Sequence, residues 1–238
     1  MNRALLLFFV ILAASFPLVP AWLYFRKKGI DNLWFLVFAG AGFVSVFIAL
    51  ITQSMIPEHE HTGRSFIFHV FACISLTEES SRMITLFPLL LFVRRKFRSP
   101  ISTGDFMQSD FGFAEYTGRP EFPNKPHLSG RAAGLIAGLG FAAAESVFHA
   151  VANIANPGTT LLRALLHGAC GSRIGASFSF AGSRPVYAFF QFFAAVLIHG
   201  MYDLFILDTN LPYRFLSLFI ALTAFWSSLL VIRQDSSA

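Results

Sequence analysis

Charged residues are scarce in this chain of 238 residues, at 13% of the sequence. A soluble domain carries about a quarter, so a sizeable soluble domain is excluded. Hydrophobic residues instead make up 55% of the chain, and 30 residues are Phe. Apolar stretches of about 20 residues, long enough for a transmembrane helix, recur throughout. We therefore predict an all-α, polytopic integral membrane helix bundle, with residues 1–238 forming one membrane domain.

Cysteine is also rare, with only Cys73 and Cys170, and both fall inside predicted spans. This excludes a disulfide framework and a CxxC metal site, and it predicts two small buried hydrophobic side chains. GxGxxG, Walker and HExxH motifs are absent, and so are internal repeats. The net charge of +5 does not indicate a nucleic-acid partner in a chain of this composition. We expect it to set the orientation in the bilayer instead.

The apolar stretches predict seven transmembrane helices. They cover residues 4–25, 33–56, 66–93, 130–155, 159–181, 185–207 and 211–232. Residues 1–16 have the features of a cleaved signal peptide, with Arg3 before an apolar run. Because the run continues to Phe25 and ends at "RKK", a retained first helix is favoured.

Lysine and arginine between the spans predict the orientation, because cytoplasmic segments are enriched in both. With the N-terminus outside, twelve of them fall on the inner side and three on the outer side. This distribution favours an N-out, C-in arrangement. Residues 94–129, the one long connection, then form a cytoplasmic loop.

The third span contains three charges inside an apolar run, Glu78, Glu79 and Arg82. Arg82 follows the two glutamates by four and three residues, so all three share one helix face. An ion pair with Arg82 accounts for one glutamate. The second carboxylate must be protonated, paired elsewhere or used in chemistry, and a carboxylate of this kind can act as a general base.

Three later spans each carry two ionisable residues at a spacing of four. The pairs are Glu145 with His149, Arg163 with His167, and His199 with Asp203. Structural hydrogen bonds within the bundle are one explanation. His next to a carboxylate also suits a metal site, a histidine oriented by its Asp, or an oxyanion-stabilising pair. The pattern leaves these alternatives open.

Depth in the bilayer favours a single site. Measured from the outer ends of their spans, Glu78 and Glu145 lie roughly 15–18 Å down, and His167 and His199 roughly 12 Å down. Structural polar residues on four separate helices would have no reason to share one layer. The agreement predicts one site in the outer half of the bilayer.

Four motifs on successive helices resemble those of the PrsW-type glutamic intramembrane proteases. "TEESSR" fits EExx(K/R), "GLGFAAAES" fits GxGFAxxE, "HGACGSRIG" fits HxxxGxxxG, and "HGMYD" fits HxxxD. The resemblance covers residues 66–207, which we expect to be the catalytic core helices. The sequence is more remotely similar to the CAAX-prenyl and bacteriocin-processing proteases. Ser146 stands where the second motif usually has Asn, and Arg82 where the first more often has Lys.

The resemblance implies a membrane enzyme that cleaves a membrane-embedded or membrane-adjacent protein with glutamate-activated water, in regulated proteolysis or signalling. It implies the catalytic residues Glu78, Glu79, Glu145, His167, His199 and Asp203. We expect Arg82, His149 and Arg163 to support them. The expected location is a cell membrane, namely the bacterial cytoplasmic membrane.

Within this site, we expect Glu78 or Glu79 to be the general base on a sequestered water. Glu145 and His167 would position the water or move its proton. His199, oriented by Asp203, would stabilise the oxyanion.

Two further questions stay open from sequence. A Zn²⁺ ion is compatible with the same residues, in which case its ligands would come from Glu78, Glu145, His167 and His199. A proton- or ion-coupled transporter or channel would also place Glu, His and Asp within a membrane, and a non-catalytic membrane scaffold is a third possibility. The absence of an internal repeat disfavours the transporter.

Overall fold

The computed structural model describes residues 3–56, 63–97, 129–152, 157–207 and 211–235. These residues are helical without any strand, which confirms the all-α class. The helices are α1 (Arg3–Ser15), α2 (Leu18–Lys27), α3 (Asn32–Ser54), α4 (Arg64–Phe68), α5 (Leu76–Phe97), α6 (Gly130–Val151), α7 (Pro157–Phe180), α8 (Pro185–Leu207) and α9 (Leu211–Asp235), with a π-helical segment, His69–Ser75, between α4 and α5. Of the predicted 94–129 loop, residues 98–128 lie outside the described residues.

The first predicted span consists of two helices. Helix α1 ends at Ser15, and α2 begins after Pro17. Proline has no backbone N–H and its ring clashes with the preceding turn, so it interrupts an α-helix. The apolar run Leu7–Lys27 is nevertheless long enough to cross a membrane with this break.

The third predicted span changes its helix type just before the glutamate pair. The π-helical segment begins at His69 and ends at Ser75, whose hydroxyl donates to the carbonyl of Val70, five residues earlier, at 2.9 Å. Such segments occur mostly as short insertions in α-helices, and frequently at functional sites. The change of helical repeat sets the direction in which Glu78 and Glu79 point.

Five helical stretches among the described residues are long and apolar enough to cross a membrane. They are Leu7–Lys27, Asn32–Ser54, Gly130–Val151, Pro185–Leu207 and Arg214–Arg233. The third and fifth predicted spans are also helical but are not among these five, and the third carries three charged residues, Glu78, Glu79 and Arg82. Large apolar side chains are exposed on the outer helices, among them Phe189, Phe219 and Trp226. An exterior of this kind suits a multi-pass membrane protein in contact with lipid.

Helix α6 lies at the centre of the bundle. About two-thirds of its most apolar window is buried, compared with 17–39% in the other four candidate spans. It packs most extensively against α7 and α3. Glycine makes the contact with α3 close, because a Cβ at Gly42 would meet the carbonyl group of Ala137. The central position of α6 brings Glu145 within reach of α7 and the other helices around it.

Glycines also bring α6 and α7 into backbone contact. A Cβ at Gly134 would meet the carbonyl oxygen of Gly171, and a Cβ at Gly138 would meet that of His167. Small residues at such positions let membrane helices approach closely. The close packing at these glycines fixes His167 opposite α6.

Adding one methyl group at this contact should destabilise the bundle. We expect Gly134→Ala to lower the free energy of unfolding by roughly 1–3 kcal/mol, because the backbone of α7 must shift. Gly40→Ala is the matched control, since a Cβ at Gly40 on α3 meets no atom within 4 Å. Thermal unfolding of both variants in detergent measures the difference. Equal stability of the two variants would show that the backbone contact is not tight.

Candidate active site

Helix α5 supplies three buried charges that contact one another. Arg82 Nη2 lies 2.7 Å from Glu79 Oε1 and 3.7 Å from Glu78 Oε2. Arg82 and Glu79 have no solvent exposure, whereas the side chain of Glu78 is 8% exposed. Glu78 Oε1 also accepts a hydrogen bond from Gln53 Nε2 of α3 at 3.3 Å. The two adjacent glutamates therefore have different surroundings: Glu79 is held tightly, and Glu78 more loosely.

Helix α8 places His199 among three carboxylates. His199 Nδ1 donates to Glu79 Oε1 at 2.8 Å. Its Nε2 lies 3.2 Å from Asp203 Oδ2 and 3.6 Å from Glu78 Oε2. The spacing of four residues puts Asp203 one helical turn from His199, as the sequence predicted. The bond from Nδ1 to Glu79 fixes the ring so that Nε2 faces the other two carboxylates.

His167 of α7 connects α5 to α6. Its Nδ1 lies 3.0 Å from Arg82 Nη2, and its Nε2 lies 2.8 Å from Glu145 Oε2. A guanidinium can only donate, so Nδ1 accepts from Arg82. The neutral ring then carries its proton on Nε2 and donates it to Glu145. These contacts assign the tautomer of His167.

Aromatic contacts close the site around the two histidines. The rings of His167 and His199 meet at a right angle, with centroids 4.9 Å apart. Phe141, from the GxGFAxxE motif, packs on His167 with ring centroids 4.9 Å apart. Its ring also lies 4.3 Å from the guanidinium carbon of Arg82. Cation–π contact and dispersion thus hold Arg82 between the ring and the carboxylates.

The two remaining predicted residues lie at the periphery of the site, next to Glu145. Arg163 Nη1 donates to His149 Nδ1 at 2.7 Å and lies 3.9 Å from Glu145 Oε1. His149 Nε2 lies 3.5 Å from the same oxygen. The side chain of Arg163 is 18% exposed and that of His149 29%, more than those of the buried cluster. The structure therefore brings all nine predicted residues together, and their individual roles remain predictions.

Three residues of this neighbourhood had no role in the sequence interpretation. Gln53 lies near the end of α3, where a polar residue usually marks the end of a span, so only the fold reveals its bond to Glu78. Phe141 belongs to the GxGFAxxE motif, but its side chain has no polar atom that would mark it as a site residue. Tyr202 is fully buried, and its hydroxyl has no hydrogen-bond partner among the described residues.

Three residues have the geometry expected for a metal site. Ligand atoms of Glu78, His167 and His199 all lie within 4.8 Å of one another. Glu78 Oε2 is buried and has no hydrogen-bond partner in the described part of the chain. Tetrahedral zinc with bonds near 2.05 Å separates its ligands by about 3.3 Å. The 3.6 Å between Glu78 Oε2 and His199 Nε2 is close to that value, so these residues fit a divalent cation.

The surrounding contacts match the way proteins support metal ligands. Glu79 accepts from His199 Nδ1 and Glu145 accepts from His167 Nε2, and carboxylates in such positions orient ligating histidines. Glu145, a predicted ligand, lies outside the group of three. For His167 to bind a cation through Nδ1, Arg82 must give up its 3.0 Å bond to that nitrogen.

A buried site of carboxylates and imidazoles inside an apolar helix bundle indicates a functional site within the membrane and has the side chains that hydrolysis needs. Comparison with protein families assigns the chain more narrowly. It belongs to the PrsW family, since the model described as "PrsW family intramembrane metalloprotease" matches residues 28–231. No curated protein and no solved structure matches the chain.

Family membership implies intramembrane protease activity on membrane-protein substrates and a multi-pass membrane location. It therefore confirms the resemblance read from the four motifs, and it favours the protease over the transporter and the scaffold.

Removing the charge of Glu79 should weaken metal binding. We expect Glu79→Gln to lower the affinity for Zn²⁺ about 10- to 100-fold, because the oriented His199 loses its carboxylate partner. Glu78→Gln, which alters a ligand, should lose more. Competition with a zinc-binding dye in detergent measures both affinities.

Asp31→Asn is the control for this measurement. Asp31 caps α3 by accepting from the backbone N–H of Leu33 at 3.1 Å, and Asn can cap in the same way. This carboxylate lies at a helix end outside the site. An unchanged zinc affinity in Glu78→Gln, relative to Asp31→Asn, would contradict the metal assignment.

Proposed function

We propose that this chain is an intramembrane endopeptidase that hydrolyses a peptide bond of a membrane-embedded or membrane-adjacent protein at the cluster around Glu78, His167 and His199. The observation that carries the proposal is the convergence of these side chains from three helices, with a buried glutamate oxygen that has no hydrogen-bond partner among the described residues. Packing alone gives no reason for such a group in a membrane bundle.

We assign Glu78, His167 and His199 as the residues that hold a divalent cation. When bound, such an ion activates water and polarises the carbonyl of the peptide bond. Glu79 and Glu145 orient the two histidines through hydrogen bonds of 2.8 Å. Asp203 Oδ2 lies 3.2 Å from Nε2 of His199; that nitrogen cannot donate to Asp203 while it holds a cation, so this hydrogen bond belongs to the metal-free site.

Glu145 is the group that we assign to receive the proton of the reacting water. Its side chain is 14% exposed, compared with 8% for Glu78 and none for Glu79. Oε2 accepts from His167, but the other oxygen, Oε1, has only the longer contacts of 3.5 Å to His149 and 3.9 Å to Arg163. We therefore assign Glu145 Oε1 as the proton acceptor. His149 and Arg163 hold this carboxylate in place.

Arg82 supports the site in two ways. Its charge compensates Glu79, and its second hydrogen bond, to His167, links α5 to α7. Without a positive charge at this position, two adjacent glutamates in a low-dielectric interior would repel each other. Arg82 is accordingly a positioning residue in this proposal.

A glutamic mechanism without metal is the second candidate, and the environment of Glu78 favours it. Glu78 Oε2 lies beside His199 Nε2 and has no hydrogen-bond partner among the described residues, so it can accept the proton of a water molecule directly. In this version Nδ1 of His199 donates to Glu79, and the proton on Nε2, held by Asp203 in the resting site, is redirected to the oxyanion. Metal dependence separates the two mechanisms.

Peptide-bond cleavage is tested by comparing new protein N-termini in membranes that contain the wild type or Glu145→Gln. A single-span substrate found in this way is then cleaved in proteoliposomes. We expect Glu145→Gln to lower kcat/KM by about 10²- to 10⁴-fold, the range for a lost general base, even at saturating zinc. Excess zinc should raise the activity of Glu79→Gln more than that of Glu145→Gln, because Glu79 supports the ligand His199 whereas Glu145 is the assigned proton acceptor.

Other outcomes decide against parts of the proposal. Full activity of a metal-free wild type would favour Glu78 as the direct base. Cleavage at the wild-type rate by Glu78→Gln, Glu145→Gln and His199→Ala would contradict the protease assignment to this cluster. Ion flux in liposomes that disappears in the same variants would indicate a transporter.

We also propose seven transmembrane helices with the N-terminus outside, a catalytic core within residues 66–207, and a cytoplasmic loop at residues 94–129. The charge distribution between the spans supports this topology. The expected location remains the bacterial cytoplasmic membrane.

Cysteine labelling in intact cells tests the topology. We expect an impermeant maleimide to label Thr62→Cys from outside, and Ser102→Cys only after permeabilisation. The native Cys73 and Cys170 are buried and should give a low background. The reverse labelling pattern would show that the chain has the opposite orientation.

A further inference from the structure

Three buried hydroxyl groups, besides the buried charges of α5, have no hydrogen-bond partner among the described residues. They belong to Ser146, Ser172 and Tyr202. A serine hydroxyl can rotate to bond a carbonyl of its own helix, so its partner is one torsion angle away. The tyrosine hydroxyl stands at the far end of a rigid ring, too far from the backbone of its own turn to bond it. Buried tyrosine hydroxyls usually have a partner, so Tyr202 needs one from elsewhere.

Packing explains the ring of Tyr202 but not its oxygen. The side chain has no solvent exposure and belongs to the main hydrophobic cluster of the bundle. A phenylalanine would fill the same space without burying a hydroxyl that lacks a partner, and such a hydroxyl destabilises the folded state. The oxygen therefore indicates a group that this site receives during function.

Tyr202 lies on the same side of the two site histidines as Arg163. Helices α7 and α8 run in opposite directions, because only residues 181–184 separate them, and the rings of His167 and His199 are in contact. Residues that follow His199 are therefore level with residues that precede His167. Tyr202 is about 4.5 Å beyond His199 along α8, and Arg163 is about 6 Å beyond His167 along α7.

The charges near Tyr202 place its hydroxyl on the Glu145 side of the site. Its electrostatic neighbours are Arg163, Asp203 and Glu145, from three helices. Arg163 in turn has Glu145, Tyr202 and Glu78 among its neighbours, and its Nη1 lies 3.9 Å from Glu145 Oε1. That oxygen is the assigned proton acceptor. The hydroxyl of Tyr202 is therefore beside the place where the water would react.

We propose that Tyr202 is a further catalytic residue, whose hydroxyl donates a hydrogen bond to the oxyanion formed from the carbonyl of the cleaved peptide bond. The inference rests on the proposed function. As the water oxygen bonds to the carbonyl carbon, one electron pair of the C=O bond moves to the carbonyl oxygen, and a water proton goes to Glu145 Oε1. Tyr202 keeps its own proton and donates to the new oxyanion. When the C–N bond breaks, that electron pair restores the carbonyl, and the departing amine takes the proton from Glu145.

The surroundings of Tyr202 suit a donor and not a proton acceptor. Deprotonation would place a phenolate near the carboxylates of Glu145 and Asp203, in an interior where like charges repel strongly. A donor without a partner in the resting enzyme gains its hydrogen bond only when negative charge develops beside it. Such an interaction is stronger in the transition state than in the ground state, and only interactions of this kind accelerate the reaction.

Tyr202→Phe tests this role in proteoliposomes with the single-span substrate. We expect kcat to fall about 10²- to 10³-fold, the range for one lost oxyanion donor, and KM to stay unchanged. The Tm of the variant should equal or exceed that of the wild type, because it no longer buries a hydroxyl without a partner. Its zinc affinity should equal that of the wild type, because Tyr202 is not one of the assigned ligands.

Tyr187→Phe is the matched control on the same helix. The Tyr187 hydroxyl accepts from Arg131 Nη2 at 3.2 Å, and its side chain is 39% exposed. Fifteen residues, or about 22 Å along α8, separate it from Tyr202. We expect this variant to cleave with the kcat and KM of the wild type.

The outcomes separate this inference from the proposed function. Wild-type kcat in Tyr202→Phe, with cleavage intact, would overturn the role of Tyr202 alone and assign its hydroxyl a buried water as partner. A fall in kcat together with a lower Tm or a weaker zinc affinity would make Tyr202 a structural residue. Absence of cleavage by the wild type would overturn the proposed function, and the role of Tyr202 with it.

Discussion

The guanidinium of Arg82 is the contact on which the site depends. It compensates Glu79, donates to His167 and lies against the ring of Phe141, so it joins α5, α6 and α7 at one point. Its Nη1 and Nε have no hydrogen-bond partner among the described residues. A buried guanidinium that is satisfied on one side only is costly. The fold tolerates this cost because the alternative is a pair of adjacent carboxylates, without a cation, inside an apolar bundle.

The glycine contacts determine whether that network can form. Gly138 lets the backbone of α6 touch the carbonyl of His167, and this close approach sets the distance from Glu145, two turns further along α6, to His167. A hydrogen bond of 2.8 Å tolerates little change in helix separation. The geometry of the site therefore depends on glycines, because backbone contact at these residues fixes the spacing of α6 and α7.

Much of the fold and of the site membership could be predicted from the sequence, because both follow from local patterns. Helix α8 occupies the predicted residues 185–207, and the pairs at a spacing of four share a face as expected. Contacts between helices could not be predicted. The bond between Arg82 and His167 joins residues 85 positions apart, and Gln53 reaches Glu78 from another helix. Such contacts depend on helix rotation and spacing, which no local pattern determines.

The π-helical segment has a consequence for comparing this chain with its relatives. A π-helix has more residues per turn than an α-helix. The segment His69–Ser75 therefore contains roughly one residue more than an α-helix would need to place the glutamate pair on the same face. A relative with an uninterrupted α-helix would need a one-residue deletion between its equivalents of Phe68 and Leu76. An ungapped alignment across this segment would then pair the wrong residues upstream of the glutamates, while every residue after them stayed in register.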